Sequence, residues 1–163
     1  MIPQFLIGIG QDSHRLVTAQ KGETLVLGGV AFECGLKLEA NSDGDVILHA
    51  LYNAISTSLG GGSLGAIAEQ LCADGITDSS QYLAVVLEKM VKRGYKINNI
   101  SISIEALQPR LEKYFAYMKK SIAKLCALSP VQVGLSVTSG EGLTQCGKGE
   151  GMSVIANVLL ERQ

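Results

Sequence analysis

The sequence predicts an α/β protein in which helices cover one face of a β-sheet. Two observations carry that prediction. Apolar runs of strand length alternate along the chain with longer segments whose apolar residues recur at helical spacing. The 163 residues are also 47% hydrophobic, enough to fill one core, and no repeat or linker-like stretch divides them. A single domain spanning 1–163 is therefore expected.

The elements follow in order. "FLIGIG" (5–10) predicts a buried strand with Asp12 and His14 at its exit. "ETLVLGGVAFE" (23–33) is strand material broken at Gly28-Gly29, which predicts a hairpin. "SDGDVILHALYNAISTSLGG" (42–61) starts on a capping residue, Ser42 or Asp43, and a glycine run stops it. With Val46, Leu51 and Ala54-Ile55 as its apolar stripe, it predicts the first helix. "SLGAIAEQLCADGITDS" (63–79) predicts one or two helical turns followed by a mobile loop. In the next segment, Leu83, Val86, Leu87 and Met90 fall at helical spacing before Lys92, Arg93 and Gly94, which predicts a second long helix. Ile100, Ile102 and Ile104 alternate, as in a strand with one buried face. Pro109 is expected to open a third helix, with Leu111, Phe115, Met118, Ile122 and Leu125 on one side. Two last strands, "VQVGLSVT" (131–138) and "GMSVIANVLLE" (151–161), flank a glycine-rich loop.

Charge and composition exclude several classes of function. A formal charge of −1 with no Lys/Arg cluster gives no electrostatic basis for holding nucleic acid. No apolar run approaches the roughly 18–20 residues of a membrane span, and the N-terminus lacks the charged start of a signal peptide. Cys34, Cys72, Cys126 and Cys146 lie far apart, and read as buried thiols in a reducing compartment. A cytoplasmic protein is expected.

Four regions can carry chemistry. His14 and His49 are the two histidines of the chain. Asp12 and His14, at i and i+2, project to the same side of a strand. With His49 they form a carboxylate and two imidazoles, a donor set suited to zinc with a fourth position open. Spacing alone favours a surface aspartate and two unrelated histidines, since Asp-x-His is a common pattern. In the second region, Asp45 lies four residues before His49, where its carboxylate can accept the ring N–H that a metal-bound histidine leaves free. Helix capping by Asp43 and Asp45 is the competing reading. An EF-hand is excluded, because Tyr52 stands where the closing glutamate is required. The third region, "VTSGEGLTQCGKGEG" (137–151), sets Thr138, Ser139 and Glu141 among glycines just past a strand. Such a loop can place amides and hydroxyls against phosphate, with Glu141 on a hard divalent ion, though most glycine-rich loops are simple turns. The fourth, "EALQPRL" (105–111), joins a strand to a helix, a natural place for backbone contacts to a ligand.

These stretches, in this order, resemble the 2-C-methyl-D-erythritol 2,4-cyclodiphosphate synthase family over nearly the whole chain. "DSHRL", "NSDGDVILHA", "ALQPRL" and "TSGEGLTQCGKGEG" carry the resemblance, and the second is the most specific. It implies a mixed sheet of the α+β kind with about three helices on one side, and a homotrimer with active sites between subunits. It implies one zinc per site on Asp12, His14 and His49, and magnesium or manganese held through Glu141 and bridging the substrate diphosphate. Thr138, Ser139 and Gly140 would contact that diphosphate, with Ser139 and Asn41 catalytic. Asn41 and Ser42 would also touch substrate. The backbone of Ala106, Leu107, Gln108, Pro109, Arg110 and Leu111 would line the cytidine pocket of the neighbouring subunit. Gln145 and Lys148 would lie near the trimer axis.

The chain also departs from the family pattern. Asn41 replaces a histidine, Ala66 an aspartate that grips the methylerythritol hydroxyls, Gly140 a threonine, Gln145 a phenylalanine and Lys148 an arginine. Two readings follow. One is an active cyclase in which Asp74 takes over the hydroxyl contact; the other is a trimeric metal and nucleotide-diphosphate binding protein with little activity.

Overall fold

A computed structural model describes residues 2–163. Its central sheet is built on two long strands, β1 (Phe5–Thr18) and β7 (Gly151–Arg162), paired antiparallel from Phe5 opposite Glu161 to Arg15 opposite Gly151. β7 also pairs antiparallel with β5 (Tyr95–Glu105), and β6 (Val133–Thr138) lies parallel to β5 at the edge. That one parallel pair makes the sheet mixed. It needs a crossover, supplied by the helix α4 (Phe115–Leu125). A short strand, β4 (Leu36–Leu38), closes the opposite edge against β1. The strands β2 (Leu25–Leu27) and β3 (Val30–Phe32) form the expected hairpin, turning at Gly28-Gly29 with both φ positive.

The helices lie on one face. α1 (Val46–Ser58) crosses β1 and β7, α3 (Ser79–Lys92) packs on α1, and α2 (Gly65–Ala73) rests at their margin. Burial along β1 alternates, with Gly8, Gly10 and Leu16 facing inward. A Cβ at Gly8 or Gly10 would run into the carbonyl oxygens of Ala54 and Ala50, so these two glycines let α1 lie directly on the strand. The same contact sets His49 of α1 above the residues that follow Gly10. Ile47, Leu51 and Ile55 of α1 share one buried core with the inward Ile100, Ile104, Val154 and Leu160 of the sheet. The other face of the sheet is open: Ile7 is 77% exposed, Ile9 60% and Ile155 38%.

Four expectations change. β1 does not end at residue 10 but runs through Asp12 and His14, because β7 pairs with it as far as Arg15. The third helix does not begin at Pro109; residues 107–109 form a bend, Leu111 plugs the core, and α4 starts at Phe115 after one 3₁₀ turn. α2 is a full nine-residue helix, which brings the helices to four. The segment after α2 is anchored: Ile76 N donates to the Leu71 carbonyl, Tyr82 Oη to the Ile76 carbonyl, and Asp43 N to the Thr77 carbonyl. Among the described residues no helix is long and apolar enough to cross a membrane.

Candidate active site

The alternation that buries Gly8 and Gly10 continues along β1, so Asp12 and His14 also point to the helix side. There they meet His49, one turn into α1. Asp12 Oδ2 lies 3.1 Å from His14 Nε2 and 2.9 Å from His49 Nδ1, and the two nitrogens are 3.3 Å apart. Tetrahedral zinc with bonds of 2.0–2.1 Å requires donor–donor edges of about 3.3 Å. Three donors of the right kind therefore already stand near the right separations, and they fit the ion.

The outer ring nitrogens explain why both histidines aim inward. His14 Nδ1 lies 3.1 Å from the Glu39 carbonyl oxygen, an acceptor only, so this nitrogen donates and Nε2 is left for the centre. Burial alone would push the Asp12 carboxyl up. The hydrogen bonds and charges of His14 and His49 outweigh it and hold the carboxyl well below the usual range. In return, the hydrogen bond to Asp12 raises His14 above its ordinary value against the pull of burial. Metal binding at such a cluster displaces protons.

Asp45 is a correction. Its carboxylate makes no bond to the His49 ring; it accepts from the amides of Gly28, Gly29, Ile47 and Leu48 at 2.6–3.1 Å. Fully buried, it is the N-cap of α1 and ties the β2–β3 turn to the helix start. Burial nonetheless raises its pKa against those amide bonds. The partner of His49 Nε2 is instead Ser79 Oγ at 2.8 Å, with Ser42 Oγ at 3.4 Å, and Ser79 Oγ donates to Asp43. No local spacing marks Ser79, which is 30 residues from His49.

Asp12, His14 and His49 floor a cleft of about 480 Å³. Asn41 and Ser42 line one wall, and Leu64, Ala68 and Glu69 of the α2 region line the other. Asp74 is not on that wall: it is the exposed C-cap residue of α2. The carboxylate that α2 contributes to the cleft belongs to Glu69, one helical turn beyond Ala66.

A second cavity, about 300 Å³, brings Ala106, Leu107, Pro109, Arg110 and Leu111 together with Ser139 and Glu141. Gln108 and Leu107 flank Gly149. Here the loop groups satisfy one another. Ser139 Oγ donates to Glu141 Oε1 at 3.1 Å, and Thr138 Oγ1 accepts the Gly140 amide at 3.2 Å. Gly140 has φ +69°, and a Cβ there would strike the Glu105 carboxylate, which accounts for glycine at this position. Gln145 and Lys148 are exposed in the turns that return the chain to β7.

The two cavities lie at the same level of the sheet. Asp12 is opposite Val154, Val154 opposite Ile104, and Ile104 opposite Val137. Three inter-strand steps separate them, about 14 Å at roughly 4.8 Å per step.

Comparison with known proteins adds to this geometry. The model described as the YgbB family matches residues 5–161. A 2-C-methyl-D-erythritol 2,4-cyclodiphosphate synthase of Chlamydia muridarum is 42% identical over 149 residues, covering 91% of this chain and 83% of the relative. The solved synthase of Plasmodium vivax superposes with a TM-score of 0.82 at 27% identity, covering 98% of this chain and 99% of that one. A further solved synthase, in a CDP-bound form, gives a TM-score of 0.81 at 28% identity, covering 95% and 99%.

Proposed function

This chain belongs to the YgbB family, and from that premise we infer that it is a cyclase converting 4-diphosphocytidyl-2-C-methyl-D-erythritol 2-phosphate to 2-C-methyl-D-erythritol 2,4-cyclodiphosphate and CMP. An oxygen of the 2-phosphate attacks the β-phosphorus. The bond from that phosphorus to the bridging oxygen breaks, and the oxygen leaves with CMP. The observation that carries this reading is the convergence of Asp12, His14 and His49 at the floor of an open cleft.

Phosphoryl transfer of this kind asks for positioning and charge neutralisation more than for a base. Asp12, His14 and His49 would hold zinc, one per subunit, and Glu141 magnesium or manganese, supplying Lewis-acid polarisation and neutralisation of the diphosphate. The chain's own groups do the rest. Asn41, on the cleft wall, donates amide hydrogen bonds to the transferring phosphate but carries no positive charge. The hydroxyls of Thr138 and Ser139 steady the charge that develops there. Glu69 takes the place of the aspartate lost at Ala66 as acceptor for the polyol hydroxyls, a role Asp74 is too far round the helix to fill. Ala106 to Leu111 present backbone to the cytosine.

Two observations support a homotrimer. Glu141 and the Asp12 tripod must act on one diphosphate, yet within a chain about 14 Å of sheet lies between them. The sheet face carrying Ile7, Ile9 and Ile155 is exposed and apolar, as expected of a surface that other copies cover. The tripod of one subunit then faces the loop of the next. The four free cysteines suit a cytoplasmic setting.

Phosphorus NMR of the chain with zinc, magnesium and the cytidyl substrate tests the reading. A cyclic diphosphate with one equivalent of CMP is expected; unchanged substrate from a zinc-loaded trimer would leave a binding protein.

A further inference from the structure

Asp45 is committed to backbone amides, so groups other than Asp45 must hold the His49 ring with Nδ1 toward the centre. We propose that Ser79 and Asp43 are the positioning residues of this site, fixing the His49 tautomer and ring angle through a one-directional chain of hydrogen bonds. The proposal rests on the zinc reading above and adds to it the residues that make the tripod usable.

The direction of the chain is set at its far end. An ionised carboxylate only accepts. Asp43 Oδ2 accepts the Ser79 amide at 3.1 Å, and its Oδ1 accepts the Ser79 hydroxyl. The hydroxyl hydrogen is thereby committed to Asp43, so Ser79 Oγ can only accept from His49 Nε2, 2.8 Å away. His49 Nε2 must then carry the proton. In the metal-free chain Nδ1 donates to Asp12 Oδ2, 2.9 Å away; with zinc in place of that inner proton, Nδ1 would offer its lone pair to the centre. The same logic orients His14 through the Glu39 carbonyl, with the opposite nitrogen inward. Two different tautomers are therefore selected by two acceptor-only groups.

The chain is also rigid. Ser79 is wholly buried, and it opens α3, whose N-cap is Asp78. Asp43 is locked to the segment before α3 by its amide bond to the Thr77 carbonyl, 2.9 Å. The Tyr82 ring, one turn along α3, lies nearly parallel to the His49 ring, 16° between planes. Ser79 and Tyr82 of α3, with Asp43 tied to the start of that helix, thus fix a ring carried by α1.

Zinc affinity measured against a chromophoric chelator, with nitrogen-15 NMR of the histidine rings, tests this without relying on turnover. In the zinc-loaded wild-type chain, His49 should show a protonated Nε2 and a metal-bound Nδ1. Ser79→Ala should weaken zinc by about 10–100-fold, the range for loss of such a supporting group. Ser79→Thr, which keeps the hydroxyl, should restore most of it. Asp43→Asn can donate to Ser79 Oγ and so reverse the chain, and should give a mixture of His49 tautomers. Wild-type zinc affinity in a folded Ser79→Ala chain, or a His49 bound through Nε2 in the wild type, would overturn the proposal while leaving the tripod standing. A wild-type chain that takes up no zinc would remove the metal reading and this one together.

Discussion

The metal cleft and the glycine-rich loop lie at the same end of one sheet, yet they are built differently. In the cleft, each donor is carried by regular structure, and both histidines are oriented by partners outside the cluster. Asp12 and His14 ride β1, His49 rides α1, and the His49 side chain is only 8% exposed. In the loop, Glu141 is exposed and Ser139 half-buried, the two bond to each other, and Glu141 sits at φ +49°, a conformation few non-glycine residues adopt. The difference teaches that one half of the site is preorganised by this chain's own core. The other half is a surface loop whose polar groups bond to one another.

Breaking the preorganised half should have the largest effect. Asp12→Ala is expected to abolish stoichiometric zinc binding and to lower kcat/KM by about 10³-fold, the upper scale for removing a charge-stabilising contact; metal analysis beside an activity assay checks both. If the halves meet only between subunits, Ile9→Asp on the open sheet face should shift sedimentation from trimer to monomer and remove turnover with zinc retained. Glu141→Ala attacks the loop half alone. It should lower kcat by about 10²-fold and leave zinc content unchanged, an asymmetry that would collapse if zinc were lost too.

Asp45→Ala sharpens the contrast from the side of stability. Removing a buried cap that serves four amides should cost about 2 kcal/mol, read from urea unfolding midpoints, because cap loss lies between roughly 0.5 and 2 kcal/mol and further donors are stranded. Glu69→Ala should have the smallest effect, raising KM by about 10-fold, or roughly 1.4 kcal/mol of one charge-assisted hydrogen bond, with kcat little altered. An unchanged KM would return the hydroxyl contact to another residue.

What could be read along the chain was whatever depends on local periodicity or on residue type. The first helix, the hairpin at Gly28-Gly29, the alternating Ile100, Ile102 and Ile104, and the trio of zinc-type donors are all legible there, since a 3.6 or 2.0 period and a ligand's chemistry belong to the residues themselves. Strand length was not: the polar run "QDSHR" breaks the apolar pattern, and only pairing with β7 keeps it extended. Nor was the support of the site. Asp45 and Asp43 are both acidic and both near the start of α1, and spacing favoured Asp45 as the partner of His49. The fold gave Asp45 to the amides of Gly28 and Gly29, 16–17 residues away, and gave His49 to Ser79, 30 residues away. Hydrogen-bond partners are chosen by distance in space after the helices have docked, and sequence separation carries no record of that choice.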